Sequence, residues 1–386
     1  MSDENENESG NNNNNADSPV LVSSFDRRNF LSYSATSAAA MTATAVGVTA
    51  ATVVVPTESA VAAVTADDTA GTTNTKIYTV APQSLLGKTI VITGGTTGLG
   101  LESAKRLAVG GATIIITART PQKGELAVRA VQEYVSSSTS NGTNTNIYSA
   151  VLDLDDLQSV KSFPERFKTI ATTGNKSNNK IDVLMNNAGV MAVPTLEYTK
   201  DGNERTFQSN HLGHFVLTSA LFSSSLLSED ATIINVSSEA YNFASVVDDS
   251  KNKQGLDLNN LNGELKYGPW SSYGLSKLAN IMFTQELQRR LVASNSNMSV
   301  YTLHPGAVNT DLARNFIGEE KYFDSKQKGP QTLVEKVIDK SVKSVLKSVE
   351  EGASTQIYLA ASTAAPSIVQ QNKGAFYVGY KPEKRK

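Results

Sequence analysis

From residue 76 onward, short apolar runs rich in β-branched residues alternate with longer segments in which apolar positions recur with a helical period. Strand–helix alternation of this kind is typical of a parallel sheet that is covered by helices on both faces. The runs that we predict as strands are Thr89–Thr93, Thr113–Thr117, Ile147–Leu152, Ile181–Met185, Thr232–Val236, Ser299–Leu303 and Ala375–Val378. The pattern therefore predicts an α/β fold with one doubly wound sheet of about seven strands.

Residues 1–76 show neither the alternation of β-branched runs nor the helical period, so we expect the folded domain to comprise residues 77–386. Residues 1–20 are mainly Asn, Glu, Asp and Ser, a composition that favours disorder. Within residues 25–62, paired Arg27 and Arg28 precede an uncharged tract and small residues, which resembles a twin-arginine export signal to a periplasm, plastid or thylakoid lumen. A low-complexity linker and a membrane anchor are the alternatives for this leader, and a cytoplasmic location is the alternative to export.

Composition excludes several classes of function. Residues 1–75 hold 2 basic and 9 acidic side chains, so the rest of the chain is only mildly basic, and we expect no nucleic-acid partner. The absence of cysteine excludes disulfides, thiolate nucleophiles and cysteine-ligated metals. His211 and His214 are three residues apart but lack a partnered carboxylate pattern, so we expect them to pack in the core and expect no metal.

A glycine-rich turn follows the first predicted strand directly and leads into a helical pattern. Glycines let a chain turn sharply, approach a pyrophosphate closely and pack the next helix against the strand. The N-terminus of that helix then faces the phosphates. A tight turn alone needs no ligand, but this position between the first strand and a helix favours a dinucleotide site. The residues that we expect to form it are Gly94, Thr96, Thr97, Gly98, Leu99 and Gly100.

The end of the second predicted strand indicates which dinucleotide is preferred. An acidic residue there accepts hydrogen bonds from a ribose 2′-hydroxyl, whereas arginine neutralises a 2′-phosphate. This chain has Ala118-Arg119-Thr120, with Lys123 nearby. Arg119 therefore favours NADP(H) over NAD(H), although a solvated cation at a strand end is the alternative explanation.

Tyr273 and Lys277 are four residues apart on the segment Ser272–Ala293, whose period is helical, so both side chains share one face. A phenol has a pKa near 10, and a nearby ammonium lowers it by favouring the phenolate. The pair therefore has the character of a general acid/base couple.

Four further motifs accompany these residues, and together they resemble the short-chain dehydrogenase/reductase superfamily over nearly all of residues 86–382. They are Asp153-Leu154, Asn186-Asn187-Ala188-Gly189, Ser209-Asn210-His211-Leu212-Gly213-His214-Phe215 and His304-Pro305-Gly306-Ala307-Val308-Asn309-Thr310. The resemblance implies a Rossmann-type fold and an NAD(P)-dependent oxidoreductase. It is greatest to the retinol dehydrogenase and WW-domain oxidoreductase branch.

The resemblance also implies cofactor contacts. It places Asp153 at the adenine ring, Asn187 and Gly189 beside the adenine ribose, and Thr310 at the nicotinamide carboxamide. The further contacts that we expect are Leu154, Ala188, Pro305, Gly306, Val308, Tyr273 and Lys277.

The catalytic residues that the resemblance implies are Tyr273, Lys277, Ser238 and Asn210. In this scheme Tyr273 passes the proton, and Lys277 lowers the pKa of Tyr273 and holds the nicotinamide ribose. Ser238 polarises the substrate oxygen, with Ser237 as the alternative because side chains alternate at a strand end. Asn210 orders a water that connects Lys277 to solvent.

The expected function is an NADP(H)-dependent carbonyl reductase or alcohol dehydrogenase acting on a small apolar substrate, such as a retinoid-, steroid- or lipid-derived carbonyl. A catalytically idle NADP-binding regulatory or scaffold protein on the same fold, and an epimerase or dehydratase, are the alternatives. A homo-oligomer formed through the helix of Tyr273 is also implied by the resemblance.

Overall fold

Each of the seven runs predicted as a strand forms one in the computed structural model, which describes residues 77–138, 146–173, 179–244, 256, 258–308, 347–362 and 368–383. The strands are β1 Thr89–Ile92, β2 Thr113–Ala118, β3 Ile147–Val151, β4 Ile181–Asn186, β5 Leu227–Val236, β6 Ser299–His304, β7 Phe376–Val378 and β8 Lys381–Glu383. They form one sheet in the order β3-β2-β1-β4-β5-β6-β7-β8.

The first seven strands pair in parallel, whereas β8 pairs antiparallel to β7 at the edge of the sheet. The prediction of a parallel α/β sheet is therefore confirmed, and one edge strand is added to it. The sequence Lys-Pro-Glu of β8 carries no apolar pattern, which is why the sequence does not reveal it. Its turn uses Gly379 and Tyr380, both with positive φ (52° and 71°).

Helices connect the strands. They are α1 Gly98–Val109, α2 Pro121–Ser138, α3 Leu157–Lys161, α4 Phe163–Thr173, α5 Arg205–Phe207, α6 Gly213–Ser223, α7 Pro269–Ala293, α8 Val349–Ala361 and α9 Ile368–Gln371. A π-helical turn over Gln208–Leu212 joins α5 to α6, and a 3-10 helix over Glu239–Phe243 follows β5.

The sheet separates two apolar cores because side chains alternate along each strand. In β1, Ile90 and Ile92 face the core that contains α1, α2 and α8, while Val91 faces the core that contains α4, α6 and α7. Each of these three side chains is fully buried. Helices therefore cover both faces, as the sequence predicts.

The direction of chain winding reverses beside β1. The chain passes from β1 outward to β2 and β3, and then returns to β4 on the other side of β1, where it pairs in register Ile90 with Val183. The connections that leave β1 and β4 therefore diverge, and they open a crevice at the carboxyl ends of the two strands. Such a crevice is where ligands bind in open α/β sheets.

The predicted leader, residues 1–76 with its export-like segment 25–62, lies outside the described residues. Its targeting role and the boundary of the folded domain at residue 77 stay predictions. Among the helices of the described ranges, none has the length and apolar character needed to cross a membrane.

Candidate active site

The glycine-rich turn leaves β1 at the crevice and is shaped by residues that tolerate no Cβ. Gly94 and Gly98 have φ of 63° and 54°, in the left-handed region that favours glycine. A Cβ at Gly100 would lie 2.5 Å from the carbonyl oxygen of Gly94 and 2.6 Å from Nδ2 of Asn187. Helix α1 can therefore start immediately behind the turn only because residue 100 is glycine.

The N-terminus of α1 is suited to an anion. Thr97 is the N-cap residue but makes no side-chain capping hydrogen bond, and the first turn carries no acidic residue. Backbone N–H groups at a helix start lack intrahelical acceptors, and the helix dipole adds positive potential there. Thr96, Gly98 and Leu99 are half-buried around this end, and Thr97 is exposed.

The segment after β4 is fastened to the turn by side-chain hydrogen bonds. Oγ1 of Thr93 accepts the backbone N–H groups of Asn187 and Ala188 at 2.9 and 3.0 Å. Nδ2 of Asn187 donates to the carbonyl oxygen of Thr93 at 2.9 Å, and Gln356 of α8 donates to Oδ1 of Asn187 at 3.3 Å. Asn187 thus holds the turn in shape, and its predicted contact with the adenine ribose stays a prediction.

Residues expected at the adenine end also lie at the carboxyl edge of the sheet. Arg119 is exposed directly after β2. Asp153 follows β3, and its Oδ1 accepts the backbone N–H of Asp155 at 3.0 Å, which fixes the orientation of the carboxylate. Leu154 is buried beneath Gly213, where a Cβ would contact it at 3.0 Å.

The segment after β6 reaches the same edge. Gly306 has φ of 93°, and a Cβ there would meet the side chain of Lys347 at 2.8 Å. Val308 forms an isolated parallel bridge with Lys347 and packs on Gly352 of α8. Pro305 is half-buried between β6 and this bridge. Thr310 lies outside the described residues, so its contact with the carboxamide stays a prediction.

Tyr273 and Lys277 share one face of α7, as the spacing predicts, and both are buried, with 5% and 4% of their surface exposed. Nζ of Lys277 lies 5.4 Å from the centre of the Tyr273 ring and donates to the carbonyl oxygen of Val236 at 3.2 Å. A Cβ at Gly189 would lie 3.6 Å from the same Nζ. The residues predicted to bind the cofactor and those predicted to be catalytic therefore meet between Gly189 and Lys277.

The structure separates the roles of the two serines after β5. Ser237 is buried, and its hydroxyl donates to the carbonyl oxygen of Lys277 at 2.8 Å. Ser238 is half-buried, accepts the backbone N–H of Ala240 at 3.1 Å, and hydrogen-bonds to Tyr273. Ser238, and not Ser237, is therefore the serine paired with the tyrosine.

The electrostatics differ from the expectation that Lys277 lowers the pKa of Tyr273. Burial raises the pKa of Tyr273 to about 12, and the hydrogen bond with Ser238 opposes that rise. Burial lowers the pKa of Lys277 to about 8. Loss of hydration outweighs attraction between the pair, because the Lys277 ammonium donates to Val236 and not to the phenol oxygen.

Asn210 lies in the π-helical turn beside these residues and is fully buried. Its Oδ1 accepts the backbone N–H of Val190 at 2.7 Å, and its Nδ2 donates to the carbonyl oxygen of Val190 and to Oγ of Ser276, both at 2.9 Å. The side chain therefore joins the segment after β4 to α7. Its predicted role in ordering a water stays a prediction.

Several buried polar residues that support the site are absent from the sequence prediction. Asn280 donates to the carbonyl oxygens of Asn210 and Val236 at 3.1 and 3.2 Å, and Asn235 donates to Thr284 at 2.9 Å. In the sequence, each of them is visible only as an uncharged polar residue within an otherwise apolar segment. Such a residue indicates a buried hydrogen bond, because buried polar groups need partners.

Both histidines of the α6 region are buried, as predicted. Burial lowers the pKa of His211 to about 4 and that of His214 to about 3, so both rings are neutral at physiological pH. Within the part of the chain that the structure describes, no group of three or more metal-ligating side chains occurs.

We expect Gly100→Ala to abolish NADPH binding and to destabilise the protein by about 2 kcal/mol, because the new Cβ would overlap backbone on the opposite side of the turn. Gly87→Ala is the control: its φ is 77°, but a Cβ there meets nothing within 4 Å, so only backbone strain of about 1 kcal/mol is expected. Calorimetric titration with NADPH and urea unfolding measure both effects. Tight NADPH binding by Gly100→Ala would show that the turn does not form the cofactor site.

We expect Lys277→Met to abolish turnover while stabilising the protein at pH 7. The pKa of Lys277 is lowered from 10.5 to about 8, which corresponds to a burial penalty of about 3 kcal/mol for the ammonium. The penalty is complete below pH 8, where folded and unfolded lysine are both charged, and it vanishes as pH rises to 10.5. Urea unfolding of both proteins at pH 7 and pH 10 tests this; lower stability of Lys277→Met at pH 7 would contradict it.

Comparison with known proteins places this site in a family. The family model described as short chain dehydrogenase matches residues 88–247. Human retinol dehydrogenase 11 is 38% identical over 231 residues, 60% of this chain and 64% of that protein. Human retinol dehydrogenase 13 is 32% identical over 296 residues, 76% of this chain and 77% of that protein.

A solved structure agrees with this placement. The crystal structure of an uncharacterized protein from Mycobacterium paratuberculosis is 32% identical, with a TM-score of 0.54 over 80% of this chain and 90% of that chain. The chain spans less than two thirds of the length of retinol dehydrogenases 11 and 14, at 64% and 55%. With the glycine-rich turn and the Tyr273–Lys277 pair in place, the chain belongs to the short-chain dehydrogenase/reductase superfamily and is similar to its retinol dehydrogenase branch.

Proposed function

We propose that this protein is an NADP(H)-dependent oxidoreductase that interconverts an apolar carbonyl compound and its alcohol. The observation that carries the proposal is the buried Tyr273, hydrogen-bonded to the half-buried Ser238, with the buried Lys277 beside it against Gly189. A proton donor and an ammonium are thus held at the crevice where the glycine-rich turn opens.

The residues at the crevice fit a dinucleotide. The turn from Gly94 to Gly100 lets a ligand approach the backbone closely, and the start of α1 offers N–H groups with no capping side chain. Asp153 at the end of β3 presents a carboxylate for an adenine amino group. When bound, NADP(H) supplies hydride transfer, which no protein side chain can perform.

Arg119 supports NADP(H) over NAD(H). It is exposed at the end of β2, where the adenosine ribose of a dinucleotide lies in folds of this type, and no acidic residue occupies that strand end. A guanidinium pairs with a phosphate through two parallel hydrogen bonds, whereas it gains little from a ribose hydroxyl. Lys123, exposed in the first turn of α2, adds positive charge.

In this mechanism Tyr273 gives its proton to the carbonyl oxygen during reduction and regains it during oxidation. A pKa of about 12 keeps the phenol protonated at neutral pH, which suits a donor. Ser238 orients the phenol and donates to the developing oxyanion. The Lys277 ammonium, charged below pH 8, lies close enough to stabilise the phenolate that remains.

Aromatic side chains beside Tyr273 favour an apolar substrate. The Trp270 ring packs edge-on against Tyr273 with centroids 6.2 Å apart, and Phe243 packs against Trp270 at 6.0 Å. Phe243 is 58% exposed and Trp270 38% exposed, so both present apolar surface near the phenol. The similarity to retinol dehydrogenases supports a retinoid-like aldehyde or alcohol as the first substrate class to test.

We expect Tyr273→Phe to lower the rate of NADPH oxidation with apolar aldehydes by about 10²- to 10⁴-fold, because the proton donor is lost. NADPH affinity should change less than about twofold, since the ring stays. Tyr301→Phe is a matched control: it also removes a buried hydroxyl, one that donates to Val369 at 3.0 Å in the core, and should lower stability only.

The same experiment separates the enzyme from an idle nucleotide-binding protein. Binding of NADPH without turnover by the native protein, across a panel of aldehydes and ketones, would support a regulatory or scaffold protein. Equal turnover by the native protein and Tyr273→Phe would remove Tyr273 from the mechanism.

We expect Arg119→Gln to lower the preference for NADPH over NADH, measured as the ratio of kcat/KM values, by about 10- to 100-fold, since charge-assisted hydrogen bonds to a phosphate are lost. The loss should fall on NADPH, with kcat/KM for NADH nearly unchanged. Arg129→Gln, which removes an exposed arginine farther along α2, is the control and should leave the ratio unchanged. An unchanged ratio in Arg119→Gln would mean that another group selects the cofactor.

A further inference from the structure

His214 lies at the start of α6, directly after the π-helical turn that carries Asn210, and only 2% of its surface is exposed. Its Nδ1 is 3.0 Å from the carbonyl oxygen of Asn210. Its Nε2 is 2.8 Å from Oγ1 of Thr93, the residue that begins the glycine-rich turn. One buried ring thus bridges the cofactor end and the catalytic end of the site.

The partners fix the tautomer of this ring. A carbonyl oxygen can only accept, so Nδ1 must carry the hydrogen that is shared with Asn210. Burial keeps the ring neutral, and the neighbouring charge of Lys277 acts in the same direction, so Nε2 carries a lone pair. The Thr93 hydroxyl therefore donates to Nε2 at 2.8 Å, which is nearer than its other acceptor, the carbonyl oxygen of Met185 at 3.3 Å.

This donation determines how Thr93 holds the segment after β4. With its hydrogen directed at His214, the hydroxyl oxygen keeps two lone pairs for the N–H groups of Asn187 and Ala188, at 2.9 and 3.0 Å. The opposite tautomer would direct three donors at one oxygen and would leave Nδ1 facing the Asn210 carbonyl without a hydrogen. Only the Nδ1–H tautomer satisfies every group.

The other end of the bridge acts on the catalytic residues. The Asn210 carbonyl also accepts Nδ2 of Asn280, and the same Nδ2 donates to the carbonyl oxygen of Val236 at 3.2 Å. That carbonyl also accepts Nζ of Lys277 at 3.2 Å. An unbroken series of hydrogen bonds therefore connects Thr93 with the catalytic lysine.

We propose that His214, as the Nδ1–H tautomer, is a positioning residue that sets the glycine-rich turn at the correct distance from Lys277 and Tyr273. The effect on catalysis rests on the proposed function, whereas the tautomer and the hydrogen bonds of His214 do not. His211, three residues earlier, lacks this role: it packs among Phe207, Phe215 and Phe283 and hydrogen-bonds to Asn280.

The tautomer can be measured without any turnover. The chain contains three histidines, so side-chain nitrogen spectra of protein labelled with ¹⁵N-histidine are simple, and His214→Asn identifies the signals of residue 214. We expect a neutral ring with hydrogen on Nδ1 between pH 5 and pH 8. A hydrogen on Nε2, or a charged ring, would overturn the proposal even if the protein is an active enzyme.

Kinetics test the positioning role. His214→Asn keeps a donor for the Asn210 carbonyl but loses the acceptor for Thr93, and His214→Phe loses both. We expect kcat to fall about tenfold in His214→Asn and about 100-fold in His214→Phe, as expected for misplacement of reacting groups by about 1 Å. Thr93→Val combined with His214→Phe should cost less than the two single changes added together, because both break one interaction.

Thr218→Val is the matched control. Thr218 is buried in α6 and donates to the carbonyl oxygen of His214 at 2.8 Å, without contact to Thr93. It should lower stability and leave kcat unchanged. If His214→Asn and His214→Phe behave like Thr218→Val, with native kcat and KM at a temperature where they are folded, His214 is only a core residue and the proposal is wrong.

Failure of the proposed function would be recognised separately. In that case the native protein binds NADPH but does not turn over, and affinity for NADPH replaces kcat as the readout of the same variants. Affinity can be followed by the fluorescence of Trp270, the single tryptophan, which lies beside Tyr273. Equal NADPH affinity across the native protein, His214→Asn and His214→Phe would then refute the positioning role.

Discussion

Beyond the carboxyl ends of buried parallel strands, the backbone N–H and C=O groups no longer pair with a neighbouring strand and need other hydrogen-bond partners. The whole site depends on how this requirement is met. Here uncharged side chains meet it: Thr93 and Asn187 hold the two segments that leave β1 and β4 together, and Asn210 fastens the second of them to α7. Because an unpartnered buried group costs about 1–3 kcal/mol, each of these bonds is strongly selected over alternatives. These hydrogen bonds therefore hold the segments that border the crevice in place.

This hydrogen-bonded frame holds an unfavourable electrostatic arrangement in place. Lys277 is buried at a cost, and burial also raises the pKa of Tyr273 to about 12. A flexible site would let both groups reach water, but α7 is held between Val236 and the π-helical turn. The arrangement keeps a protonated phenol next to a cation, as the proposed proton transfer requires.

Local signals explain how much of this was visible in the sequence. The seven β-branched runs predicted the strands because parallel strands are buried on both faces, and the helical period around Tyr273 placed it correctly beside Lys277. The sequence did not predict strand β8 or the early start of β5 at Leu227, because pairing with a neighbouring strand, and not an apolar pattern, creates them. The resemblance favoured Ser238 over Ser237, but the contacts that distinguish the two serines and the raised pKa of Tyr273 depend on burial and orientation, which no spacing rule contains.

In the proposed function, a hydride donor bound at the glycine-rich turn reacts beside Tyr273. Deuterium transfer tests it most directly: the native protein is supplied with NADPH labelled at C4 with deuterium and with retinal or another apolar aldehyde, and the alcohol is analysed by mass spectrometry. We expect an alcohol that carries one deuterium atom on the former carbonyl carbon, from one of the two C4-labelled epimers only. An alcohol without deuterium from either epimer, or no alcohol with any apolar aldehyde tested, would contradict it.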